Sequence, residues 1–179
     1  MRKLVLALAL GSSLSSSFAC TAVDVQAKDG SVIAGRTMEW AFDMNWQLLY
    51  YPKGTSFELS APANSGHDAI KLKSKYAIFG VGTALEDNAM LDGQNSAGLA
   101  LSGNFLPGFT QYQTVSKQDK KYLSILEFTQ FVLSNYATVA EVKAELPKYK
   151  VWSPNIKNLP IEPTIHFLIT DKSGANVVI

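Results

Sequence analysis

Residues 20–39 read CTAVDVQAKDGSVIAGRTME, and their pattern sets the architecture of everything that follows. Thr21, Val23 and Val25 alternate with Ala22, Asp24 and Gln26, a period of two that predicts a strand. The Lys28-Asp29-Gly30 sequence then predicts a turn, and Asp-Gly between two such runs is a strong hairpin signal. Residues Ser31 to Glu39 are the return strand. An antiparallel partner runs back along the first strand, so Arg36 and Glu39 come back beside Cys20.

Cys20 is the only cysteine, so an internal disulfide is excluded. The 19 residues ahead of it, MRKLVLALALGSSLSSSFA, carry a basic start at Arg2 and Lys3, an apolar run from Leu4 to Leu10 and a small-x-small cut site at Ser17-Phe18-Ala19. This is the layout of a signal peptide. Cleavage after Ala19 makes Cys20 the new N-terminus, with a thiol nucleophile and an α-amino group in one residue. An α-amino group has a reference pKa of roughly 7.7–8.0, which suits a base near neutral pH. An unpaired cysteine is otherwise a small buried hydrophobe, a reading that a new chain terminus disfavours.

Hydrophobic residues make up 47% and charged residues 17% of the chain, which places it among globular proteins rather than disordered ones. A net charge of +1 supplies no footprint for nucleic acid. After Ala19 no apolar run is long enough to span a bilayer, so the expected product is exported, periplasmic or secreted. With only His67 and His166 in the chain, a histidine-based metal site has little support, and neither a metal nor a cofactor is expected.

Further along, strands are predicted at Trp46 to Tyr51, Ser56 to Leu59, Tyr76 to Thr83 and Leu99 to Phe105, the last preceded by a turn at Asp92-Gly93-Gln94-Asn95. Residues 61–75 read as loop. Gly80-Val81-Gly82 is not a dinucleotide fingerprint, because no helix opens behind it. Residues 119–136 carry a wide apolar helical pattern, and Thr138 to Glu141 a capping box for a second helix that Pro147 ends. A loop with Pro154, Pro160 and Pro163 leads to a strand at Ile165 to Thr170, a turn at Asp171 to Gly174, and a further strand from Ala175 to Ile179. Strands, then helices, then strands again predict an α+β domain.

Arg36, Glu39 and Cys20 converge on the first hairpin. A guanidinium beside a thiol favours the thiolate, and a carboxylate in reach of the terminus orients it. An Arg and a Glu three apart on a strand are also an ordinary surface charge pair, and the residues alone leave both readings open.

Cys20-Thr21, the Gly35 to Trp40 segment GRTMEW, Asp92 to Leu99 (DGQNSAGL) and Phe105 to Gly108 (FLPG) together resemble the choloylglycine hydrolases, N-terminal nucleophile (Ntn) hydrolases that include bile salt hydrolases and penicillin V acylases. The resemblance covers virtually the whole mature chain. It implies a four-layer αββα fold and cleavage of a linear, non-peptide amide C–N bond. Cys20 would be the nucleophile and its own α-amino group the base, with Arg36 beside the nucleophile. Glu39 stands where the family usually has Asp. The oxyanion donor implied is the backbone N–H of Phe105. Asn104 is the neighbouring choice, but a shift of one residue on a strand reverses the side-chain face.

The family's second oxyanion side chain and a later arginine belong to a C-terminal part outside this sequence. Residues 20–179 are therefore expected to be the N-terminal portion of a single Ntn-hydrolase domain, with 1–19 as signal peptide. Expected substrates are acylated small molecules of the penicillin V, conjugated bile salt or N-acyl homoserine lactone type; homo-oligomerisation is left open. Two other readings stand beside this one. A lipoprotein with lipidated Cys20 is disfavoured by Ser17 and Phe18, since lipoprotein leaders usually place Leu three before the cysteine and a small residue just before it. A non-catalytic remnant with a binding role is the other.

Overall fold

The computed structural model describes residues 20–40, 43–63, 65–86, 89–156 and 162–179. The expected signal peptide and Pro160 of the proline-rich loop lie outside the described residues. Hairpin β1–β2 forms as expected, with β1 at Ala22–Gln26 and β2 at Val32–Arg36 in the register Ala22↔Arg36 to Gln26↔Val32. Gly30 takes a φ of 86° in the connecting turn, a conformation that costs glycine nothing. Asp29 secures the turn by accepting from the Ser31 N–H at 2.9 Å and its hydroxyl at 2.7 Å. The return strand ends at Arg36, and Glu39 lies beyond it.

The main sheet has six strands in the order β12-β11-β8-β7-β6-β3, with neighbours antiparallel throughout. They are β3 (Trp46–Tyr51), β6 (Ile78–Thr83), β7 (Met90–Asn95), β8 (Ala100–Phe105), β11 (Ile165–Thr170) and β12 (Asn176–Val178). A second hairpin pairs β4 (Ser56–Leu59) with β5 (Ile70–Lys73), and β9 (Tyr122–Ser124) pairs in parallel with β10 (Lys150–Trp152).

One face of the main sheet is covered by α1 (Phe128–Asn135). The helix that follows, α2 (Val139–Glu145), adds Val139 and Val142 to the same core. Phe128 stacks on Phe167 with centroids 4.2 Å apart. Buried Asn95 ties the end of β7 to the end of α1 by donating to the Leu133 and Tyr136 carbonyls at 2.8 and 2.7 Å. Hairpin β1–β2 lies over the opposite face, where the Thr170 hydroxyl donates to Asp24 and Arg36 reaches Asp92 and Asn104.

Three stretches differ from their sequence reading. Asp92 to Asn95 is strand rather than turn, and the reversal falls at residues 96–98. Asp92 and Gln94 share the face turned away from α1, while Asn95 turns toward it. Residues 70–73, inside the expected loop, form β5, because lysines alternate with Ile70 and Leu72 and the chain pairs with β4. The helix expected over 119–136 begins only at Phe128. Before it, Tyr122 to Ser124 pairs with β10, and Ser124 caps a short 3-10 turn at Ile125–Glu127 by accepting from the Leu126 N–H at 3.2 Å. The breadth of the apolar pattern came from a buried strand joined to a buried helix.

Candidate active site

The site forms where the main sheet splits. The β7–β8 ladder ends at Asp92↔Ser102, while β8 keeps pairing with β11 as far as Phe105↔Ile165. Beyond Asp92 the two strands are no longer paired, although Leu91 still lies against Gly103. Gly103 makes the close approach of Leu91 feasible there: a Cβ on it would sit 2.6 Å from Leu91 Cδ1 and 3.0 Å from the Leu91 carbonyl oxygen. The Leu106 N–H donates to Thr164 at 2.7 Å, so even-numbered amides of β8 face β11. By alternation the Phe105 N–H faces the gap that β7 has left.

Cys20 lines the apolar cavity in this gap, with Met38, Trp40, Met44, Phe105 and Phe167 among its walls. Trp40 packs edge-on against Phe105 with centroids 5.1 Å apart. Cys20 is half-buried, and its Sγ donates to the Glu39 carbonyl at 3.7 Å. The residues after β2 thus fold back over the thiol, and the structure brings Cys20, Glu39 and Phe105 into one neighbourhood.

The carboxylate of Glu39 reaches the backbone beside Cys20 indirectly. It accepts from the Thr37 hydroxyl at 3.2 Å, and that same hydroxyl accepts from the Thr21 N–H at 3.1 Å. A carboxylate one methylene longer than aspartate is thereby joined to the residue after Cys20 through a threonine. The Thr37 N–H also donates to the Thr21 carbonyl at 2.9 Å. Thr37 was not singled out by the sequence reading, although it lies inside the GRTMEW segment. Its signal was a hydroxyl directly after Arg36 and two residues before Glu39.

Arg36 points to the far side of β8. Its Nη1 donates to Asp92 Oδ2 at 2.7 Å and lies 3.1 Å from Met38 Sδ, and its Nη2 donates to Asn104 Oδ1 at 3.3 Å. Arg36, expected beside the thiol, binds a carboxylate across the sheet and touches the pocket wall through Met38. Both charged side chains are nearly buried, Arg36 at 11% and Asp92 at 14% exposed. Burial pushes the Asp92 carboxyl above its ordinary value, while Arg36, Ser102 and the Gly103 N–H pull it back. Asn104 and Phe105, one residue apart, project to opposite faces as the strand requires.

His67 stacks on Tyr122 with centroids 4.9 Å apart, and His166 sits opposite Asn104 on β11. Among the described residues no group of three or more His, Cys, Asp or Glu side chains is placed to hold a metal ion.

Residues 20–179 match the family model for linear amide C–N hydrolases of the choloylglycine hydrolase family. The chain belongs to this family. Among choloylglycine hydrolase relatives it is 29% identical to the bile salt hydrolase/transferase of Clostridium perfringens over 162 residues, covering 89% of this chain and 47% of that protein. It is also 29% identical to the penicillin V acylase of Pectobacterium atrosepticum, over 98% of this chain and 47% of that one. The solved penicillin V acylase of Agrobacterium tumefaciens superposes with a TM-score of 0.71 at 25% identity, over 88% of this chain and 45% of that structure. The α+β arrangement is thus that of the Ntn-hydrolases, and the chain spans about half the length of these choloylglycine hydrolase relatives.

Proposed function

We propose that this chain carries the nucleophile half of an exported cysteine amidohydrolase. The observation that carries the reading is the lining of one apolar gap by both the Cys20 thiol and the end of β8, with the Phe105 N–H facing the same gap. Family membership supports the reaction class.

In this reading leader cleavage after Ala19 frees the α-amino group of Cys20, which takes the thiol proton. The sulfur attacks the amide carbonyl carbon, and the carbonyl π electrons move to oxygen. The resulting oxyanion accepts from the Phe105 N–H, an interaction that strengthens as charge develops. The intermediate collapses with cleavage of the C–N bond, the terminal ammonium gives its proton to the leaving amine, and a thioester remains. Water, deprotonated by the same amine, then releases the acid. Apolar walls suit the acyl part of the substrate. Candidate substrates are penicillin V, conjugated bile salts and N-acyl homoserine lactones.

The test is expression of the full chain with its leader in an exporting host, followed by intact mass and a release assay on the three substrate classes. The expected result is a chain beginning at unmodified Cys20 that releases amine from at least one class, with Cys20→Ser and Cys20→Ala reducing release to background. A diacylglyceryl adduct on Cys20 would overturn the reading in favour of a tethered lipoprotein. Undiminished release by the Cys20→Ala variant would overturn the role of the thiol.

A further inference from the structure

We propose that Asp92 is a positioning residue of this site, holding Arg36 so that the segment after β2 keeps Cys20 in its gap. The inference rests on the reading of Cys20 as nucleophile. Asp92 is the last β7 residue paired with β8 before the strands part. Its Oδ2 anchors the Arg36 guanidinium at 2.7 Å. Arg36 in turn is the last residue of β2, paired with Ala22, and touches Met38 of the cavity wall.

From that anchored end the chain makes the bonds that place the terminus: Thr37 N–H to the Thr21 carbonyl at 2.9 Å, Thr21 N–H to the Thr37 hydroxyl at 3.1 Å, and Cys20 Sγ to the Glu39 carbonyl at 3.7 Å. Asp92 therefore fixes the frame on which residues 20–22 hang. Among the described side chains it is the carboxylate salt-bridged to Arg36.

The energetics argue for placement rather than stability. Arg36 Nε is buried without a hydrogen-bond partner. A buried ion pair left partly unsatisfied adds little to folding, and an apolar pair of similar volume often replaces it without loss. What the apolar pair cannot reproduce is the directional hold on the guanidinium and, through it, on β2.

The experiment compares wild type, Asp92→Asn and the double variant Arg36→Met with Asp92→Leu, each with native Cys20 at the terminus. Three quantities are measured: Tm, the kcat and KM of amide release, and hydrogen exchange at the Thr21 and Thr37 amides. We expect Asp92→Asn to lower kcat about tenfold or more, as small misplacements of a reacting group do, with KM changed little. It should speed exchange at Thr21 and Thr37 more than at Val25 and Gln26 near the turn. The double variant should recover Tm without recovering kcat or local protection.

A folded Asp92→Asn protein with wild-type kcat and wild-type exchange at both amides would overturn the proposal. So would a double variant that recovers kcat together with Tm, since that is the signature of a purely structural pair. If the wild type itself releases no amine, the functional reading fails, while the exchange comparison still decides whether Asp92 positions the terminus.

Discussion

At the residue scale, the most informative side chains are those whose bonds cross the sequence. Asp171, in the turn before β12, is buried and accepts from the Val139 N–H at the start of α2 at 2.9 Å and from the Ser173 N–H at 2.9 Å. Burial pushes its carboxyl up, but the hydrogen bonds from Ser173, Val139 and Ala175 outweigh this and hold it below the ordinary value of 3.8. Because the folded carboxyl titrates below the unfolded one, this stabilisation is present above pH 4 or so and is lost as pH falls through the lowered value. We expect Asp171→Ala to cost about 1–2 kcal/mol at pH 7, the loss of a helix cap and a buried acceptor. Thermal unfolding at pH 7 and pH 3 checks this: the gap between wild type and variant should shrink at the lower pH.

At the element scale, local rules and packing share control. The capping box on α2 is complete, with Thr138 accepting from the Glu141 N–H at 3.2 Å and the Glu141 carboxylate accepting from the Thr138 N–H at 3.3 Å. Thr138→Ala should lower stability by about 1 kcal/mol, read as a shift of denaturant midpoint with unchanged slope. Gly103 tests the split between β7 and β8 more directly. A methyl there meets Leu91 at 2.6 Å, so Gly103→Ala should destabilise the fold by about 1–3 kcal/mol and also impair amide release, because the gap that Cys20 and Phe105 share would be forced to change width. Equal activity per folded molecule in that variant would show that the split can flex without consequence.

Much at this scale was legible beforehand. Strands β3 and β4 fall where composition and turn residues place them, and the Thr138 capping box needs no tertiary information. The turn expected at Asp92 to Asn95 fails because polar residues and a glycine look alike in a turn and in a strand with one face free to bind Arg36. The missing first turns of α1 fail for the opposite reason. Tyr122 and Leu123 are apolar enough for either element, and only pairing with Lys150 to Trp152, almost thirty residues away, chooses strand.

At the scale of the whole molecule, the main sheet is unequally covered. The face toward α1 holds Ile78, Leu99, Leu101, Phe167 and Ile169 in the core. On the other, where hairpin β1–β2 lies among the described residues, Leu48 is 72%, Tyr50 63% and Phe79 50% exposed. Side chains this apolar in one area mark a surface that takes a further layer or partner, in keeping with the four-layer arrangement implied by the family. We expect the 20–179 chain to bind an apolar fluorescent dye in its native state and to self-associate as concentration rises. Leu48→Lys with Phe79→Lys should cut both by half or more while changing stability by less than about 1 kcal/mol, as exposed substitutions do. Sedimentation and dye titration check this.

The sequence by itself determined the hairpin that begins beside Cys20 and the family, and it singled out Cys20 and Phe105 as the residues to look for, because turns, alternation and motif spacing are local properties of the chain. Only the tertiary structure decided that Arg36 is held by Asp92 and Asn104 across the sheet, that Glu39 reaches the Thr21 backbone through Thr37, and that the cavity opens where the β7–β8 ladder ends. Those facts depend on which strands become neighbours, and neighbourhood in a sheet is settled by the packing of distant segments.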